Sequence, residues 1–134
     1  MMAHYKAHLQ LAGTLLEDMR SSIAAQEWPI AVDAGYYAVF HAMEALNATE
    51  CRNSHSFADA GEILDSVLSR RFLGETFVDQ YNFLFYFRRG TLYGAHTPAA
   101  EQLARYREVV EQSYASVLSC VADMARRYRL EQGC

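Results

Sequence analysis

An arginine and a histidine seven positions apart stand at the end of the stretch YNFLFYFRRGTLYGAH, Tyr81 to His96. A histidine titrates near neutral pH and can move protons. An arginine presents a planar fork that fits phosphate oxygens. Together Arg89 and His96 could assist a 2′-hydroxyl in attacking its neighbouring phosphate, the histidine handling protons and the arginine holding the developing charge. Residues i and i+7 share one face of a helix, so the two groups converge if a helix persists from 89 to 96. Arg88 is a second candidate for the arginine's part. Tyr93, one turn after Arg89, could stack on a base or donate to phosphate.

Long helices must position these groups, because the chain carries only two prolines and seven glycines in 134 residues. The length fits one domain over 1–134, and 51% apolar residues can build a core without staples. The pattern Tyr5, Leu9, Ala12, Leu16, Met19, Ile23 predicts a helix over 3–25. Pro29 fits the start of a second helix, to about residue 48. That helix is apolar on nearly every side and so central. Its Ala31, Gly35, Ala38, Ala42 and Ala45 let a neighbouring backbone come close. Ser56 with Asp59 predicts a capped helix over about 56–70, and Thr76 with Asp79 a capped helix through the aromatic run. The run 81–87 has strand propensity alone, but the cap and its neighbours favour helix. Thr97-Pro98 predicts the start of a last helix, whose stripe runs from Leu103 through Tyr106, Val110, Tyr114, Val117, Val121 and Met124 to Tyr128. These segments predict an all-α, antiparallel up-and-down bundle of four to five helices, with aromatic surface left for a partner subunit.

Two blocks, AVDAGYYAVFHAMEAL (31–46) and FRRGTLYG (87–94), together resemble the HEPN family of small helical bundles. The first is similar to that family's second helix, with paired tyrosines, a phenylalanine and a histidine among small residues. The second is similar to its late-helix arginine followed by tyrosine and glycine. The resemblance implies a dimer-forming bundle. It implies a metal-independent endoribonuclease of the toxin kind, with Arg89 and His96 catalytic and Arg88, Tyr93, Tyr37 and His41 in binding roles. It also implies a small nucleotidyltransferase as antitoxin partner, and a cleft shared by Tyr36 and Asp33. Relatives that have lost the pair imply the alternative, a non-catalytic bundle that binds a nucleotide or another protein. Gly90 after Arg89, where relatives commonly carry a polar residue, and Leu92, where they often carry aspartate, favour that alternative.

The remaining residues narrow the field. A net charge of −4 argues against a general nucleic-acid coat. Three cysteines without CxxC spacing, no apolar leader and no 18-residue apolar run predict a cytoplasmic protein off the membrane. No cofactor fingerprint and no metal cluster is expected. His4 and His8 have metal-ligand spacing but no third ligand in the sequence, so they read as an exposed pair. His41, on an apolar face beside Tyr37, reads as a core or interface histidine.

Overall fold

The computed structural model describes residues 2–49, 73–94 and 96–128. Four α-helices account for nearly all of them: α1 (Met2–Ala24), α2 (Trp28–Ala48), α3 (Gly74–Arg88) and α4 (Ala100–Tyr128). A π-helical turn, Arg89–Tyr93, extends α3. No strand occurs among the described residues, and the protein is an all-α helical bundle. The predicted helix over 56–70 lies outside the described residues.

The α1–α2 link is a Schellman turn. The Glu27 N–H bonds the Ser22 carbonyl at 2.8 Å and the Gln26 N–H bonds that of Ile23 at 3.0 Å. Gln26 takes the left-handed conformation, φ 60°. So short a turn lays α2 back against α1, its most extensive neighbour, while α4 packs on α2 and α3 packs on both. The α1 stripe is inward as its spacing requires, with Tyr5, Ala12, Leu16 and Met19 buried. On α4, Tyr106, Val110, Val117, Val121 and Met124 are buried too.

Helix α2 is the centre of the bundle, with 15 buried residues among its 21. Ala31, Ala38, Ala42 and Ala45 are fully buried. At Gly35 a Cβ would come within 2.8 Å of Met19 Sδ and 3.1 Å of Tyr106 and Val110. The small residues therefore do admit close neighbours from both α1 and α4.

The aromatic run is helical. Its buried stripe is Phe77, Tyr81 and Leu84, and Phe83, Phe85 and Tyr86 face outward. Two predicted caps are not used. Helix α3 begins at Gly74, φ 78°, so Thr76 lies inside the first turn and no side chain caps the end. Helix α4 begins at Ala100, past Thr97 and Pro98, and Gln102 Oε1 reaches back to accept the Ala99 N–H at 2.7 Å. The helix has 29 residues, about 44 Å at 1.5 Å per residue. No described helix is long and apolar enough to cross a membrane.

Candidate anion-binding site

Arg88, the last residue of α3, turns inward. Its Nε donates to Asp33 Oδ1 at 2.9 Å, and its Nη2 to the Tyr37 hydroxyl at 3.0 Å and the Tyr93 hydroxyl at 3.2 Å. Three rings surround the guanidinium, with Cζ 5.1 Å from the Tyr36 centroid, 4.9 Å from Tyr37 and 5.3 Å from Tyr93. Such distances allow cation–π attraction. Asp33 and Tyr37 stand four apart on α2 and so present to α3 together.

Burial works against the Arg88 charge. The Asp33 hydrogen bond and the surrounding oxygens outweigh it and move the pKa upward. Tyr37 is held above its usual pKa by burial, partly offset by the Arg88 charge. Tyr36 is raised likewise, chiefly by burial, and its hydroxyl bonds that of Tyr81. Tyr36 and Tyr37 are therefore neutral beside a fixed cation.

Asp33, Tyr37, Arg88 and Tyr93 of this cage line an open cleft of about 730 Å³ together with Asp18, Ser21 and Ser22 of α1. Asp33 was within reach of sequence reasoning through the family likeness. The α1 side was not, because no local pattern pairs 18–22 with 88–93.

The sequence-derived residues divide. Arg88, Tyr37 and Tyr93 come together. Arg89 is exposed and lines neither this cleft nor the next. His96 lies beyond the helix, exposed, in a second groove of about 750 Å³ with Phe83, Phe87, Glu101 and Arg105. The convergence expected of Arg89 and His96 required an unbroken helix. The π-turn and the end of the helix before His96 remove that condition. His41 sits apart from the cleft, against His8. His8 is correspondingly not the exposed residue its spacing suggested, with a side chain 21% exposed.

No protein-family profile and no curated protein matches the chain.

Proposed function

We propose that this chain is a HEPN-type bundle that binds a ribonucleoside phosphate, with Arg88 as the anion-recognising group. The Arg88 cage carries the reading. Asp33 and the two hydroxyls bond Nε and Nη2, and none of those bonds uses Nη1, whose N–H groups suit phosphate oxygens. Tyr93, 72% exposed, offers a ring to a base. Ser21 and Ser22 offer hydroxyls to ribose across the cleft. The family likeness supplies the partner in this reading, a small cytoplasmic nucleotidyltransferase.

Equilibrium dialysis with labelled AMP and ATP tests it. Binding should weaken at least tenfold in Arg88→Ala and persist in Arg89→Ala and His96→Ala. Wild-type affinity in Arg88→Ala would overturn it.

A second reading, a metal-independent endoribonuclease, is favoured by exposed aromatics on the same stretch: Tyr93 lines the first cleft, Phe83 lines the second, and Tyr86 is exposed on the helix between them. A two-fold pairing across that face would bring a second copy's imidazole toward the phosphate held by Arg88. In this case RNA is cut in excess EDTA, and cutting stops in both Arg88→Ala and His96→Ala. Uncut RNA with a dimeric wild-type protein would end that reading while leaving nucleotide binding intact.

A further inference from the structure

Helix α1 brings three polar side chains to the Arg88 cleft. Ser21 and Ser22 follow Asp18 by three and four residues, so the three share one face of the helix. All three line the cleft with Arg88 and Asp33. None of the three makes a side-chain hydrogen bond or ion pair with another described residue. Asp33 differs, because it accepts from Arg88 Nε at 2.9 Å. Asp33 is therefore paired, and Asp18 is the cleft carboxylate without a cation among the described residues.

Charge sets what can enter. The described residues that line the cleft carry one guanidinium and two carboxylates. Arg88 and Asp33 offset each other, and Asp18 leaves one negative charge in excess. Arg88 has only Nη1 left to give, because Nε and Nη2 already donate. That is enough for one phosphate. A second phosphate finds no further cation in this lining and meets carboxylates instead, and like charges repel even through water.

Ribose complements the α1 face. A carboxylate accepts hydrogen bonds from sugar hydroxyls, and in dinucleotide-binding folds that contact tells a ribose hydroxyl from a ribose phosphate. A hydroxyl satisfies Asp18, whereas a phosphate on the same oxygen brings like charge against it. The two serine hydroxyls can donate or accept beside it. Leu15, Ile30 and Leu92 give apolar lining on which a base can rest. At about 730 Å³ the cleft falls within the usual ~300–1,000 Å³ of small-molecule sites.

We infer that the cleft selects a ribonucleoside 5′-monophosphate, with Arg88 Nη1 on the single phosphate and Asp18 accepting from the ribose hydroxyls. This rests on the reading of Arg88 as an anion-recognising group and adds the charge and the sugar of the ligand. Asp18 then refuses nucleotides that are phosphorylated on ribose. It refuses the interior of an RNA chain for the same reason, since every 3′-oxygen there carries phosphate.

Equilibrium dialysis of the full chain in EDTA tests it, because no divalent cation then masks phosphate charge. The probes are AMP, 2′-deoxy-AMP, ATP and adenosine 3′,5′-bisphosphate. Wild type should bind AMP about tenfold or more tighter than ATP or the bisphosphate, and about fivefold tighter than 2′-deoxy-AMP, as one charge contact and one hydrogen bond require. Asp18 is exposed, so substitution there removes no core contact. Asp18→Asn removes the charge and keeps an acceptor, so the bisphosphate should come within about threefold of AMP while the deoxy penalty persists. Asp18→Ala should lose the deoxy penalty as well. Equal wild-type affinity for AMP and ATP, or an unchanged AMP-to-bisphosphate ratio in Asp18→Asn, overturns the inference while the loss in Arg88→Ala stands. No binding of AMP at all overturns the Arg88 reading and this inference with it.

Discussion

Replacing Arg88 by alanine should destabilise the bundle by about 2–3 kcal/mol, whereas Arg89→Ala should stay within about 0.5 kcal/mol of the wild type, as ordinary surface changes do. The first figure follows from exposure. Arg88 is 15% exposed but its partner Asp33 is 48% exposed, so the ion pair lies nearer the screened surface case, about 1 kcal/mol. The bond to half-buried Tyr37 adds about 1 kcal/mol. The bond to Tyr93 adds little, because that ring is 72% exposed and its hydroxyl returns to water. Cation–π contact with three rings contributes about 0.5–1 kcal/mol, some of it shared with the same hydrogen bonds. In a chain of this size the loss corresponds to roughly 10 °C in Tm. Urea unfolding followed by circular dichroism measures it. A cycle with Asp33→Ala should give a coupling energy of about 1 kcal/mol. An unchanged m-value would show that stability, not the denatured state, had moved. Equal losses in Arg88→Ala and Arg89→Ala, or a coupling near zero, would refute the cage.

Two further perturbations test the same architecture. A Cβ at Gly94 would run into the Gly90 carbonyl oxygen, whereas one at Gly90 meets nothing within 4 Å. Gly94→Ala should therefore lose about 1–3 kcal/mol of stability in urea melts and weaken nucleotide binding, while Gly90→Ala should gain about 0.5–1 kcal/mol. Stability should also fall with acid through His41, whose pKa in the fold lies below its ordinary 6.5 because of burial and then His8. Between the two values the unfolded chain binds the extra proton, so this stability is complete above about pH 6.5 and is lost as pH falls. His41→Gln should flatten that part of a stability–pH profile.

Much of this was legible along single helices. The 4-3-4 stripes of α1 and α4 mark their buried faces because burial follows the helical period. The same logic reaches Arg88: Phe77, Tyr81 and Leu84 are buried, and the next step of four lands on Arg88 rather than Arg89. The unused caps at Thr76 and Thr97 failed for a local reason. A positive-φ glycine at 74 starts α3 three residues early, and Gln102 satisfies the Ala99 N–H in place of Thr97. The His8–His41 contact was beyond reach. It joins residues 33 apart, and only the register of α1 on α2 decides which side chains meet there.

The π-turn explains why one arginine pairs with an aromatic ring and the other does not. In a straight α-helix, residues five apart sit about 140° from each other and residues seven apart about 20°. On that geometry Arg88 and Tyr93 would diverge, and Arg89 and His96 would align. In the π-turn the chain closes i to i+5: the Gly94 N–H bonds the Arg89 carbonyl at 3.1 Å, and the His96 N–H bonds that of Thr91 at 3.2 Å. A wider turn brings the fifth residue back over the first. Tyr93 thereby reaches Arg88 Nη2, and the seven-residue alignment is lost. The glycine at 94 permits this by leaving room for the Gly90 carbonyl. One backbone feature thus builds the Arg88 cage and leaves His96 in another groove. Among the described residues the cleft that Arg88 lines with Asp33, Tyr37 and Tyr93 holds no histidine, and His96 lines the other groove.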